Sequence, residues 1–202
     1  GLTETTGAIT IMMPEDHDPD KGKLRSCGKA LKGVKLKVVN EEGKELKTGE
    51  IGEVISKSKL NMKGYWNKPD ATKESIVEGW FYSGDAGFFD DEGYLFIHDR
   101  VKDMIVSGGE NIYPAEVENA LMSHDEILDS AVIGIPDDKW GESVKAFVVI
   151  AENSTLKEDK IISYTRTQIA AYKCPKSIEF IKELPRNPSG KILRRELREP
   201  YW

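Results

Sequence analysis

Asp99-Arg-Val-Lys-Asp-Met-Ile-Val-Ser-Gly-Gly-Glu-Asn-Ile112 is the stretch on which the reading of this chain turns. An arginine and the pair Lys102-Asp103 lead into a short apolar run that stops at Gly108-Gly109, with polar Glu110-Asn111 beyond. Adjacent glycines supply positive φ and allow close backbone approach. A strand-to-helix junction beside a ligand needs both properties, and so does a hairpin with a glycine-rich turn. A glycine pair alone does not choose between them.

Outward from this stretch the chain changes character. Before Arg100 it reads as short strands and turns: the alternating Val34 to Val38, a turn at Asn40 to Gly43 and a strand start at Gly52 to Ile55. Phe88 to Gly93 followed by Tyr94 to Ile97 predicts a hairpin with its glycine at a left-handed position. Strands at this spacing predict a small barrel or sandwich. After Arg100, Pro114 to Met122 predicts a helix, with proline at its start and acids in its first turn. Val132 to Pro136, Ala146 to Ile150 and Ser177 to Ile181 are strand candidates. Lys157 to Ala171 has helical spacing, with Ile161, Ile162, Ile169 and Ala170 on one face, and Ile192 to Glu199 predicts a last short helix. The fold class is α+β, with a β-barrel-like half at 1–100 and a compact half at 101–202 built on a central sheet and helices.

Composition narrows the function classes. Of 202 residues, 39% are hydrophobic and 32% charged, and 29 basic against 35 acidic side chains give a net charge of −6. With both signs interspersed and no basic block, a nucleic-acid partner is disfavoured. No apolar run approaches the roughly 18 residues a membrane span requires. Cys27 and Cys174 lie outside any CxxC pattern and read as free thiols of a reducing, cytoplasmic compartment. His17, His98 and His124 lack metal-ligand spacing.

Three further motifs bear on chemistry. Gly79-Trp-Phe-Tyr-Ser-Gly-Asp85 runs three aromatics into a glycine-aspartate turn. Leu184-Pro-Arg-Asn-Pro-Ser-Gly-Lys-Ile-Leu-Arg-Arg195 presents a lysine on a tight loop. Pro185 and Ile192 stand where a phosphate-binding P-loop needs glycine and Ser or Thr, so that reading fails. Gly1-Leu2-Thr3-Glu4 opens the chain without methionine, as a loop entered midway. Each motif has a plain structural alternative: a turn aspartate, a solvated lysine, a helix cap, and for Arg100 a local salt bridge to Asp99 or Asp103.

In this order, the four motifs resemble those of the adenylate-forming superfamily: acyl-CoA synthetases, luciferases and peptide-synthetase adenylation domains. Glu110 to Pro114 and the tail look most similar to fatty acyl-CoA synthetases. The resemblance implies that ATP and a carboxylate, a fatty acid by that likeness, form an acyl-adenylate and pyrophosphate, and that CoA then takes the acyl group as AMP leaves. It makes Lys191 the catalytic lysine of the first half-reaction, where an ammonium stabilises charge developing on phosphate oxygens. Thr3, Asp85 and Arg100 become nucleotide-binding residues, with Asp85 on the ribose hydroxyls and Glu4 a Mg²⁺ ligand, as suits a hard cation. Lys102 takes the hinge position, where many acyl-CoA synthetases carry aspartate, and Gly108 and Gly109 line the pantetheine tunnel. Residues 1–100 then correspond to the end of the large domain and 101–202 to the small mobile one, in a fragment inactive by itself. The rival readings are a non-catalytic folded module, which could self-associate as a homo-oligomer, and a relative with another carboxylate or acceptor.

Overall fold

The computed structural model describes residues 1–202, and the chain divides into two compact units, Gly1–Lys102 and Asp103–Trp202. The first contains β1 (Thr10–Ile11), β2 (Lys29–Ala30), β3 (Lys35–Val39), β4 (Gly52–Lys57), α1 (Pro69–Ser75), β5 (Ile76–Val77), β6 (Trp80–Phe89) and β7 (Leu95–Arg100). β1 and β2 pair as a short ribbon. The other strands form one antiparallel sheet: β3 pairs with β4, β4 runs along one edge of β6, and β5 and β7 share the opposite edge at its two ends. No pairing closes β3 onto β7, so the expected barrel is a half-barrel. Val38, Val54 and Leu95 form its core cluster, with Leu36, Leu46 and Phe89 against them. Gly93 ends the β6–β7 turn at φ 81°, and Asp90 Oδ1 accepts the Glu92 and Tyr94 amides at 3.0 and 2.9 Å.

The second unit contains β8 (Ile105–Ser107), β9 (Glu110–Ile112), α2 (Pro114–Met122), β10 (Ile127–Asp137), β11 (Gly141–Ile150), α3 (Glu158–Gln168), β12 (Ser177–Phe180) and α4 (Arg194–Arg198). β10 and β11 form a long antiparallel ribbon, in register from Asp129↔Val149 to Asp137↔Gly141. β12 adds to β11 in parallel, and β8 meets it at Ser107↔Gly141. The ribbon is covered on both faces. Val132, Val144, Ala146 and Val148 pack with Val117 and Leu121 of α2 and Ile161 of α3. The alternate residues Ala131, Ile133 and Phe147 pack with Leu184 and Leu197. Strands buried on both sides read as apolar runs rather than alternation, which is how Val132 to Pro136 and Ala146 to Ile150 present themselves.

Three expectations change in detail. Helix α3 stops at Gln168, and Ile169 is extended at φ −136° while still packing on the core. Thr165 inside the helix hydrogen-bonds back to the Ile161 carbonyl at 2.8 Å, a competition that loosens a helix end. Helix α4 starts at Arg194 because Ile192 bridges Arg186 and the Leu193 amide donates to Pro185 O at 2.8 Å. The aromatics of Trp80 to Tyr82 run into no turn: Ser83-Gly84-Asp85 lies inside the ten-residue β6. No helix is long and apolar enough to cross a membrane.

Leu121 is fully buried and Leu128 is 59% exposed. In chemical denaturation, Leu121→Ala is expected to lower the stability of the second unit by about 2–5 kcal/mol, and Leu128→Ala to stay within about 0.5 kcal/mol of the parent. Equal effects would contradict this placement of the core.

Candidate active site

In the first unit the site is built on an irregularity in β6. Glu53 pairs with Ala86 and Ile55 with Tyr82, so Ser83, Gly84 and Asp85 face a single partner residue, Val54. Gly84 absorbs the extra length at φ 71°. Side chains then take over for the ladder: Ser83 Oγ donates to Val54 O at 2.6 Å and accepts the Asp85 amide at 3.0 Å, while Glu53 Oε1 accepts the Gly84 amide at 2.8 Å. This leaves the Asp85 side chain beside Arg100, its cross-strand partner on β7. Arg100 Nη1 lies 2.5 Å from Asp85 Oδ1 and donates to Ser83 O at 3.3 Å. The arginine's ion-pair partner is therefore Asp85; Asp99 instead accepts the Arg100 backbone amide at 2.7 Å, and Asp103 is engaged elsewhere.

Glu53 is half-buried, and desolvation holds its carboxyl above the usual range; the Asp85 charge adds to this, while the Gly84 amide opposes it. A cavity of about 140 Å³ opens beside the bulge, lined by Ser83 and Asp85 together with Leu2, Ile9, Cys27 and Ile97. Thr3 is exposed on the short 3-10 turn Thr3–Thr5 next to Leu2. Glu4 is half-buried, and its Oε1 accepts the Tyr65 hydroxyl at 2.9 Å. Burial first, and then the bond to Glu4, raise the Tyr65 pKa. Lys102 is the last residue of this unit, exposed in the turn Val101–Asp103.

In the second unit Gly108 and Gly109 are the two-residue loop between β8 and β9, with Ser107 paired to Glu110. Both have positive φ, 62° and 86°, the combination a type I′ hairpin turn demands. Of the two geometries open to the sequence, the hairpin forms, and the helix begins only at Pro114. Gly108 donates its amide to Trp140 O at 2.8 Å, and a Cβ there would meet the indole at 2.7 Å. Lys139 and Lys176 stand over the same indole at 4.6 and 5.2 Å.

Lys191 is exposed and forms no ion pair, on a loop whose backbone is heavily tied. Asn187 Oδ1 accepts the amides of Ser189 and Lys191, and Gly190 turns at φ 84°. Arg186 donates to Gly190 O and to Asp129 Oδ2, each at 2.6 Å. The loop is thus anchored near the start of β10, and the Gly108-Gly109 turn beside the far end of β10. Asp137 is eight residue steps along β10 from Asp129, roughly 26 Å at about 3.3 Å per residue.

Two family profiles match the chain: AMP-binding enzyme over residues 1–66, and AMP-binding enzyme C-terminal domain over residues 116–191. The chain is also 45% identical, over all of its length, to a fatty acid–[acyl-carrier-protein] ligase from Streptomyces coeruleorubidus, of which it covers 39%. It belongs to the adenylate-forming superfamily. A long-chain-fatty-acid–CoA ligase from Mycobacterium tuberculosis is 46% identical over 99% of this chain and 39% of the relative. Among solved structures, o-succinylbenzoate CoA synthetase from Bacillus subtilis, in complex with its acyl-adenylate intermediate, superposes with a TM-score of 0.89 at 38% identity. That match covers 98% of this chain and 40% of the synthetase, which has also been solved with ATP and magnesium ion. The chain thus spans about two fifths of the length of these relatives.

Of the site residues expected from sequence, Asp85 and Arg100 meet directly and Glu4 is held by Tyr65. Sequence reading passed over Glu53, Tyr65 and Trp140. Nothing local marks them, because each matters through a partner distant in the chain.

A carboxyl pKa raised in the fold contributes stability below the unfolded value of about 4.3 and loses it as pH rises through the folded value. Glu53→Gln keeps an oxygen for the Gly84 amide and removes the charge. It is expected to be at least as stable as the parent at neutral pH, the difference closing toward pH 4, measured by thermal unfolding across pH. A variant clearly less stable at neutral pH would overturn this assignment.

Proposed function

We propose that this chain is the C-terminal part of an AMP-forming fatty acyl-CoA synthetase, with residues 1–100 ending the large domain and 101–202 forming the mobile one. The separation of Lys191 and Gly108-Gly109 toward opposite ends of the β10–β11 ribbon is the observation that carries the reading. One domain can then serve two half-reactions by presenting one end and then the other, with Lys102 as pivot.

In the first half-reaction a carboxylate oxygen attacks the α-phosphorus of ATP. The bond to the bridging oxygen breaks, and pyrophosphate leaves with that electron pair. Lys191 supplies a compact ammonium to the oxygens on which charge grows, from a backbone that needs no reorganisation. Asp85 accepts the ribose hydroxyls, each such bond to a charged acceptor worth about 1.5–3 kcal/mol. Arg100 holds Asp85 in place beside the nucleotide, and Thr3 offers a hydroxyl to phosphate. Glu4 fits a Mg²⁺ ligand, because Tyr65 occupies one carboxylate oxygen and leaves the other with no protein partner. No group of three or more acidic, His or Cys side chains lies close enough to hold a metal by itself. When bound, the ion neutralises phosphate charge. In the second half-reaction the CoA thiol sulfur bonds to the acyl carbon and AMP departs, with Gly108 and Gly109 allowing the pantetheine arm close to the backbone.

The fatty-acid assignment draws on the two fatty-acid ligases at 45% and 46% identity. Free Cys27 and Cys174 agree with a cytoplasmic setting. Spanning about two fifths of its relatives, the chain alone is inactive. The test is ATP–pyrophosphate exchange by the parent protein with dodecanoate or o-succinylbenzoate. Dodecanoate is expected to support exchange, and Lys191→Ala to lower it by about 10²–10³-fold while transfer from preformed dodecanoyl-adenylate to CoA persists. Exchange unchanged in Lys191→Ala would remove the lysine from this role, and exchange with o-succinylbenzoate alone would replace the substrate.

A further inference from the structure

Three ion pairs of the second unit meet at the segment just beyond Lys191. Asp103, the residue after Lys102, is 8% exposed and accepts Arg198 Nη1 at 2.9 Å, with Arg194 Nη1 at 4.0 Å. Arg194 Nη2 donates to both oxygens of Glu118, at 2.7 and 2.8 Å. Glu118 Oε1 in turn accepts the Val132 amide at 2.8 Å. Four charged side chains thereby join the first residue of the unit, helix α2, strand β10 and helix α4. Arg194 lies three residues past Lys191. The loop between is closed by the Leu193 amide on Pro185 O and anchored on its other side by Arg186 on Asp129.

We propose that Asp103, Glu118, Arg194 and Arg198 are positioning residues for Lys191. Their lattice fixes the lysine loop relative to the residue that follows the pivot, so that rotation at Lys102 carries Lys191 as part of a rigid body. This rests on the roles given above to Lys191 and Lys102. The geometry suits the task. Arg194 turns Nη2 to Glu118 and Nη1 toward Asp103, so one rigid, planar guanidinium stands between two carboxylates at a fixed angle, which a lysine's single ammonium cannot reproduce. A lysine that acts on phosphate oxygens tolerates little error, since a displacement of about 1 Å costs roughly 10²-fold in rate. The Gly108-Gly109 turn, held by Trp140 at the far end of β10, is outside the lattice, so the second half-reaction does not depend on it.

Two variants test the proposal: Arg194→Lys keeps the charge without the planar guanidinium, and Asp103→Asn keeps the shape without the charge. In the 202-residue chain, hydrogen exchange is expected to accelerate at the Lys191 and Leu193 amides in Arg194→Lys while the β10–β11 amides keep their protection. In the parent protein, both variants should lower ATP–pyrophosphate exchange with dodecanoate, by roughly 10²-fold for a displacement near 1 Å. Thioester formation from preformed dodecanoyl-adenylate should stay near the parent rate. Unchanged loop protection overturns the anchoring. Equal losses in both half-reactions, or protection lost throughout the unit, reduce the lattice to fold stability. A parent protein without pyrophosphate exchange counts against the assigned role of Lys191, and the exchange of the loop amides still decides whether the lattice holds it.

Discussion

Everything in the second unit hangs on the antiparallel pairing of β10 with β11. Both faces of the ribbon are buried, and alternate residues serve different cores: Val132 and Val144 toward α2 and α3, Ile133 and Phe147 toward the C-terminal segment. A slip of one residue would send each set to the wrong layer. The register is therefore fixed from both sides, and so is the distance between its ends. One end takes the lysine loop through Asp129, and the other takes the glycine turn through Trp140. The ribbon is thereby a rigid spacer that carries a different chemical group near each end.

The first unit shows the opposite use of a sheet. There the ladder is interrupted, and Glu53 and Ser83 supply the hydrogen bonds that the bulge gives up. The carboxyl of Glu53 is held half-buried near a second carboxylate, an unfavourable placement for its charge. What the arrangement secures is the direction of Asp85, set at the rim of a cavity and against Arg100. Local irregularity of this kind is common next to binding sites, where a bulge re-aims one side chain.

How much of this was legible in the sequence depended on whether a signal was local. Helix α2 reads directly from Pro114 and its acidic first turn, and its bounds are those observed. The apolar runs around Val132 and Ala146 announce strands but not their full length, because the ladder extends through Gly141, Glu142 and Asp129, which carry no apolar side chain, and Leu128 falls at a shift of register. The end of α3 was hidden, since Ile169 keeps its core contact after leaving the helix. Gly108-Gly109 fitted two geometries, and the choice lay with Trp140, some thirty positions on. Asp85 and Arg100 stood out as motif residues, but their ion pair depends on a register that no local pattern encodes. The lattice around Arg194 was invisible for the same reason: its acids lie 76 and more positions away in the chain.

The central claim is adenylation, and the nucleotide product tests it most directly. The parent protein would be incubated with ATP, Mg²⁺, dodecanoate and CoA, and the nucleotides separated and quantified alongside the thioester. The account predicts AMP and pyrophosphate in equal amounts with dodecanoyl-CoA. Formation of ADP and phosphate with the thioester, or AMP release independent of any carboxylate, would contradict it.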